Sequence, residues 1–315
     1  MIKRKFYLEK IVKLIDTEDI KVITGVRRCG KTVLLKQIID ELENRGIASE
    51  NIIYMSFESS KYKNIRNDDD LDEFIFSKTN NLNGKIYLLF DEIQKVKNWE
   101  VSLNSYRVDL ECDIYITGSN LQLLSGELAT LISGRYISIN MLPFSFKELI
   151  QYYDEMHENI DEIKLFEQYL SYGGFPGLLN YENEEKEKYL YDLYSTIVLN
   201  DILYKNKVKD LDLLERLMEF MISNIGQLFS ANSISKYIKN ENRKTTPHTI
   251  INYMDYARNA FILYQIKREN IKQKKKLLIS DKYYLVDPGF YFIFNGPTQR
   301  NWGQLLENIV FLELI

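Results

Sequence analysis

Ile20-Lys21-Val22-Ile23-Thr24-Gly25-Val26-Arg27-Arg28-Cys29-Gly30-Lys31-Thr32 decides how this chain is read. An apolar, β-branched run ends in G-x-x-x-x-G-K-T, and Val33-Leu34-Leu35-Lys36-Gln37-Ile38-Ile39 follows with helical apolar spacing. Strand, glycine-bounded loop and helix are the context in which this motif means a phosphate-binding loop rather than a chance turn. Gly25 and Gly30 allow backbone dihedrals closed to other residues, with no Cβ in the way of a phosphate. The backbone N–H groups of Val26, Arg27, Arg28, Cys29, Gly30, Lys31, Thr32 and Val33 then face a phosphate at a helix start, where the dipole favours negative charge. Lys31 is expected to reach the β- and γ-phosphates of ATP, and the Thr32 hydroxyl to ligand Mg²⁺.

The second decisive stretch is Ile86-Tyr87-Leu88-Leu89-Phe90-Asp91-Glu92. A near-continuous apolar run predicts a strand buried on both faces of a parallel sheet. Two carboxylates at its carboxyl end lie where ligands bind in open α/β sheets. Asp91 is the expected Mg²⁺ partner. Glu92 is the expected base that orients and deprotonates the attacking water. Outside this context the two would be an ordinary pair of acids at a strand end.

Around these anchors the spacing predicts helices over 6–15, 70–78 and 99–110, and strands over 51–57, 114–117 and 136–141. Gly118-Ser119-Asn120 forms a polar tip after the fourth strand. Asn120 is a candidate for contact with the γ-phosphate or the attacking water, or else a cap for a helix over 121–124. Arg135 reads as a catalytic arginine, for this chain's nucleotide or a neighbour's, or as a surface residue. Beyond Phe144 the pattern is helical: 165–172, then Gly173-Gly174-Phe175-Pro176-Gly177, then 184–204 and 211–225. A helix over 230–238, a second from Thr246-Pro247 through Ala260, and alternating runs at 261–266, 277–279 and 283–288 follow. Helix, helix and β-ribbon are the order of a winged helix.

At 315 residues with 45% hydrophobic and 27% charged, the chain can fold as two or three globular domains. Cys29 and Cys112 make no disulfide or zinc pattern, which fits a reducing cytoplasm. Cys29 reads as a redox-sensitive thiol or as a small filler of the loop. Two histidines, His157 and His248, argue against a histidine-built metal site. No apolar run approaches the ~20 residues that span a bilayer. From Lys236 to Lys282 there are twelve Lys and Arg against four acids, a local charge of +8. The rest of a chain of net charge −4 must then carry −12. A basic module on an acidic body points to a polyanionic partner or to an ordinary solvated surface. The contacts offered to DNA would be Thr245, Thr246, His248, Asn252 and Arg258 on the second helix, with Lys272, Lys274, Lys275 and Lys276 on the wing.

G-V-R-R-C-G-K-T, L-L-F-D-E-I-Q-K-V-x-x-W-E, I-T-G-S-N with L-I-S-G-R, and M-L-P-F-S-F-K-E-L together resemble prokaryotic AAA-type P-loop ATPases that carry a C-terminal domain of unknown function. The resemblance implies an α/β fold: a parallel AAA-type sheet with flanking helices, the P-loop strand central and beside the strand of Gly118-Ser119-Asn120. A helical lid holding the G-G-F-P turn and a winged-helix domain follow. Val26 departs from the family, in which proline often follows the first glycine. The implied division is 1–142 core, 143–208 lid, 209–295 winged helix and 296–315 the start of a further domain. Over that last stretch Trp302–Ile315 resembles the G-x-L-L-E-N-x-V-x-x-E-L helix opening a fold similar to PD-D/E-x-K nucleases, with Glu307 matching its acid. Leu305, Leu306, Ile309, Val310, Leu312 and Leu314 seek cover there, and no following strand is present to give it. The expectation is a C-terminally truncated chain without nuclease activity, the alternative being that the helix packs back on the winged helix.

The sequence thus predicts an ATP-binding, Mg²⁺-dependent ATPase coupled to a winged helix that contacts DNA through residues 236–282. A homo-oligomer or protein partner is compatible with this reading, and a membrane is not called for. The rivals are a nucleotide-gated switch or adaptor with little turnover, against which Glu92 argues, and a phosphotransferase, for which no acceptor signature is present.

Overall fold

In the computed structural model, which describes residues 2–121, 134–157, 160–240, 245–267, 281–296 and 302–315, the apolar runs become a five-stranded sheet. Its strands are β1 (Ile20–Thr24), β2 (Ile52–Ser56), β3 (Ile86–Asp91), β4 (Cys112–Gly118) and β5 (Tyr136–Asn140). All pair in parallel, in the order β2-β3-β4-β1-β5. Helices α1 (Lys5–Val12), α2 (Lys31–Asn44), α3 (Asp68–Thr79) and α4 (Trp99–Asp109) accompany them. Parallel neighbours need crossovers, and α2, α3 and α4 supply them. Covered on both faces, β1 and β3 are buried at every position, which is why their sequences run apolar without alternation. β1 lies one strand in from the β5 edge, flanked by β4 as expected. The helix expected over 121–124 falls largely outside the described residues.

One charge breaks the apolar run of β1. Lys21 is wholly buried, and its Nζ donates to Asp113 Oδ1 at 2.6 Å, with both side chains shut off from solvent. Burial pulls the Lys21 pKa down against the opposing pull of Asp113. Tyr115 donates to the other carboxylate oxygen at 2.8 Å. Removing one partner strands a buried charge, so Asp113→Ala should cost about 3–5 kcal/mol, whereas Lys21→Met with Asp113→Leu should cost far less. Thermal unfolding of the three proteins checks this.

The chain divides into two units, Met1–Gly25 with Cys29–Met141, and Val26–Arg28 with Leu142–Ile315. The second contains α5 (Phe146–Glu155), α6 (Glu162–Tyr172), α7 (Asn183–Ile197), α8 (Leu211–Ser223), α9 (Ala231–Asn240), α10 (Pro247–Asn259), α11 (Gly289–Asn295) and α12 (Trp302–Leu314). A small antiparallel sheet has the order β6-β8-β7, from β6 (Leu228–Phe229), β7 (Leu263–Ile266) and β8 (Asp281–Leu285). The helix expected to run to residue 204 changes character at Val198, where α7 gives way to a π-helix, Val198–Tyr204. Two-residue β6 and the aromatic run of α11 carry too little periodicity to be seen in sequence. The apolar run at 277–279 and Lys272, Lys274, Lys275 and Lys276 lie outside the described residues. Among the described residues no helix is long and apolar enough to cross a membrane.

Within this unit the G-G-F-P turn and the Val286-Asp287-Pro288-Gly289 stretch form one joint. Asp287, fully buried, accepts the Gly174 N–H at 2.7 Å and the Gly289 N–H at 2.8 Å. Gly173 sits at φ +75, and a Cβ there would lie 1.7 Å from Asp287 Oδ1. Burial pushes the Asp287 pKa up to about 7, against the pull of the two N–H groups. A carboxyl whose folded pKa is raised contributes stability that is full below the unfolded value near 4 and is lost as pH climbs to about 7. The wild type should therefore lose a few kcal/mol across that window relative to Asp287→Asn. Parallel thermal scans from pH 4 to 8 read the difference directly.

The C-terminal helix packs back on β8, the alternative that the sequence left open, and does not lack a strand to cover it. Asn308 Oδ1 accepts from the Leu285 N–H at 2.7 Å and its Nδ2 donates to the Leu285 carbonyl at 3.0 Å, so its amide caps β8. Phe311 stacks on Tyr284 with centroids 4.3 Å apart. Leu305 and Ile309 are buried, while Leu306, Val310 and Leu314 remain exposed. Glu307 accepts hydrogen bonds from Lys282 and Tyr284, both at 2.6 Å, and these hold its pKa below the usual range.

Candidate active site

β1 ends at Thr24, and the chain turns at Gly25 with φ +153. A Cβ on Gly25 would lie 2.1 Å from the Met141 carbonyl oxygen, so this position admits glycine alone. Gly30, at φ +107, stands before the first residue of α2. The loop is braced from the N-terminal segment, where Arg4 Nη1 donates to the Cys29 carbonyl at 3.0 Å and the Arg4 N–H donates to Gln37 Oε1 at 3.1 Å. Cys29 itself is wholly buried. That placement favours the filler reading over an accessible thiol.

Lys31 and Thr32 open α2, and β3 delivers Asp91 and Glu92 to meet them. Thr32 Oγ1 donates to Asp91 Oδ2 at 2.8 Å. Lys31 Nζ donates to the Gly25 carbonyl at 3.0 Å and stands 3.8 Å from Glu92 Oε1. Consecutive strand residues point to opposite faces. Glu92 escapes this because it leaves β3 in the left-handed region, at φ 56, and both carboxylates reach the Lys31–Thr32 corner.

β4 runs between β3 and β1, so its tip is inserted between the acids and the loop. Thr117 Oγ1 donates to Asp91 Oδ1 at 2.6 Å and accepts the Glu92 N–H at 2.9 Å, fixing the two acids relative to each other. Ser119 Oγ donates to Glu92 Oε2 at 3.3 Å, and Gln94 Nε2 binds the same oxygen. Asn120 follows, buried beside Ser119. Ser56 and Tyr54 hydroxyls approach Asp91 Oδ2 at 3.3 and 3.4 Å, and burial with the Asp91 charge pushes the Tyr54 pKa up to about 12. Sequence reasoning had no ground to single out Thr117, Gln94, Tyr54 and Ser56. The one signal was that Thr117 precedes Gly118-Ser119-Asn120 on a strand predicted to lie beside β3.

Val26, Arg27 and Arg28 group with the second unit. In it Arg27 makes a two-pronged ion pair with Asp201 of the π-helix, Nε and Nη2 each 3.0 Å from a carboxylate oxygen. The Arg28 guanidinium lies over the Tyr189 ring, 5.9 Å from its centre. Asp201 is 174 residues from Arg27, and no local pattern marks it.

Arg135 is placed elsewhere. It is exposed, and its carbonyl accepts the Ile20 N–H at 3.0 Å, just ahead of β5. β5 pairs with β1 from Ile20↔Tyr136 to Thr24↔Asn140. Parallel register therefore puts Arg135 at the opposite end of the sheet from the phosphate loop, about 15 Å away at the usual rise per strand residue. This corrects its assignment to the chain's own site.

The donors at the corner are hard oxygens, a hydroxyl and a carboxylate already in contact, and they suit Mg²⁺. A glycine-bounded loop at a helix N-terminus, with a strand-end acid beside its Thr, defines a P-loop site on an α/β sheet. Comparison with known proteins agrees. Residues 17–150 match the family described as AAA domain, and residues 163–301 match a domain of unknown function, DUF8612. A protein of Haemophilus influenzae is 43% identical over 317 residues, spanning 100% of this chain and 79% of its own length. Another, from Methanocaldococcus jannaschii, is 31% identical over 96% of this chain and 68% of its own. The Walker-type ATPase PABY2304 of Pyrococcus abyssi superposes with a TM-score of 0.64 at 15% identity, over 93% of this chain and 96% of that one. That likeness is one of fold. The chain belongs to the same family as the Haemophilus and Methanocaldococcus proteins, with an AAA domain followed by a domain of unknown function.

Proposed function

We propose that the protein is a cytoplasmic, Mg²⁺-dependent ATPase whose nucleotide state acts on its C-terminal half. The observation that carries the proposal is the corner where Thr32 bonds Asp91 at 2.8 Å and Lys31 stands 3.8 Å from Glu92. Lys31 holds the β- and γ-phosphates, exchanging its bond to the Gly25 carbonyl for phosphate oxygens. The loop residues 25–33 surround the phosphates with N–H groups. Thr32 and Asp91 hold Mg²⁺, which when bound neutralises charge developing on the phosphates. Glu92 takes the proton of the attacking water on a carboxylate oxygen, and Ser119 and Gln94 keep that carboxylate in place. Asn120 is the neighbouring polar contact for water or γ-phosphate.

For the second half we propose a lid over 143–208, a winged helix over 209–295 and the opening of a further domain over 296–315. α9, α10 and the antiparallel β7–β8 pair follow the order such a domain requires, with α10 as its second helix. Thr246 and His248 at the start of α10 are exposed, and Arg258 is tied to Asp255 at 2.7 Å. The excess of basic residues over 236–282 supports DNA as the partner. Reversing Lys274, Lys275 and Lys276 to Glu should weaken DNA binding and flatten its salt dependence, by about one unit of slope for each lost phosphate contact. Fluorescence anisotropy across a salt series checks this, and a parent protein with no salt-dependent DNA affinity overturns the DNA reading while leaving the ATPase reading intact.

A further inference from the structure

Arg4 is a buried cation at the phosphate loop with no part in the chemistry assigned to Lys31, Thr32, Asp91 and Glu92. It is only 2% exposed, a depth that arginine reaches almost solely when its guanidinium is engaged. Its own carbonyl starts α1, accepting the Leu8 N–H at 2.9 Å, while the side chain crosses to the loop. There Nη1 donates to the Cys29 carbonyl at 3.0 Å. Arg4, Cys29 and Gly30 belong to one unit of the chain, so the contact lies within it.

The consequence follows from the geometry of one peptide group. The Cys29 carbonyl and the Gly30 N–H share a plane and point in opposite directions. A guanidinium that holds the carbonyl on the outside of the loop therefore turns the Gly30 N–H inward, where phosphate oxygens are expected. Gly30, at φ +107, has no Cβ to oppose rotation of that peptide, so a clamp is what fixes it. The side of Gly30 that a Cβ would occupy is closed, with Met141 Cε at 3.3 Å and Arg4 Nη1 at 3.8 Å. The same guanidinium adds positive charge beside a helix start that already favours anions.

Arg4 is itself anchored. Its N–H donates to Gln37 Oε1 at 3.1 Å, and Gln37 Nε2 donates to the Ile2 carbonyl at 2.6 Å. One amide in the second turn of α2 thus clips residues 2–4 to the helix that the loop opens. The Arg4 guanidinium also lies over the Tyr7 ring, 4.8 Å from its centre. A long side chain is thereby ordered in advance, and little ordering is left to oppose binding. We propose that Arg4 is a positioning residue of the phosphate loop, which aims the Gly30 N–H at the phosphates of ATP and adds its charge to theirs without touching the reacting atoms. The proposal rests on the reading of the loop as an ATP site.

The test uses the intact chain and reads the Kd for ATP, KM and kcat for hydrolysis, and the thermal midpoint. Arg4→Met keeps most of the aliphatic stem but neither the charge nor the donor. It should weaken ATP binding and raise KM by about tenfold to a hundredfold, the loss typical of hydrogen bonds that involve a charged group. At saturating ATP kcat should change by less than about threefold, because Lys31, Asp91 and Glu92 remain. Arg4→Lys restores a charged donor and should recover most of the affinity. Asp113→Ala controls for general loosening: it destabilises the sheet at the end away from the loop and should bind ATP as the parent does. Where Arg4→Met does not fold, Arg4→Gln takes its place as a neutral donor and should bind about tenfold more weakly than Arg4→Lys. The proposal is overturned if the neutral variant binds ATP as tightly as the parent or as Arg4→Lys, if kcat falls as far as affinity, or if Asp113→Ala loses the same affinity. A parent chain that binds no ATP overturns the loop assignment and the proposal with it. Binding that Lys31→Ala abolishes and Arg4→Met leaves intact overturns the proposal alone.

Discussion

Replacing Glu92 by Gln is expected to leave ATP bound while slowing its hydrolysis by a factor on the order of 10² or more. The amide keeps the size and most of the hydrogen bonds of the side chain but cannot take a proton. Its neighbours make the substitution clean. Ser119 Oγ can still donate to the amide oxygen, and the backbone N–H of residue 92 still reaches Thr117 Oγ1, so Asp91 and the β4 tip stay where they are. A rate ratio measured at saturating ATP, beside an affinity measured with a fluorescent analogue, separates the proton-transfer role from a structural one. Joint loss of binding and turnover would make Glu92 a structural residue or a metal ligand instead.

Lys31→Ala should abolish binding at micromolar ATP. Lys31 is buried, bonded to the Gly25 carbonyl and close to Glu92. Both are electron-rich groups that phosphate oxygens would replace, so this lysine is the point charge on which the triphosphate depends. Truncation also removes the bond closing the loop on itself, so the remaining N–H groups lose their common focus. Circular dichroism and a thermal scan of the variant separate lost binding from lost folding. Unchanged affinity in a folded variant would contradict the assignment of the loop.

What the sequence made legible was local. The G-x-x-x-x-G-K-T loop, the apolar run into Asp91-Glu92 and the helices between them follow from spacing over a dozen residues, and the parallel sheet follows from alternating strands and helices. What it withheld was set by distance along the chain. Lys21 meets Asp113 across 92 residues, Arg27 meets Asp201 across 174, and Gly174 meets Asp287 across 113. None of these partners advertises itself to a periodicity argument. Arg135 shows the same limit, because its sequence context suggested a site residue and only the strand register put it at the far end. The π-helix at 198–204 looked like ordinary helix for the same reason, since apolar spacing does not report how the backbone hydrogen bonds slip.

The most direct measurement is steady-state release of phosphate from ATP by the purified chain, with Mg²⁺ and with Mg²⁺ chelated, beside Lys31→Ala purified in the same way. The account predicts many turnovers per chain with Mg²⁺, and none above background either without it or in the variant. A wild-type chain that binds ATP with Mg²⁺ but releases no phosphate, or a Lys31→Ala chain that releases it at the wild-type rate, would contradict the account.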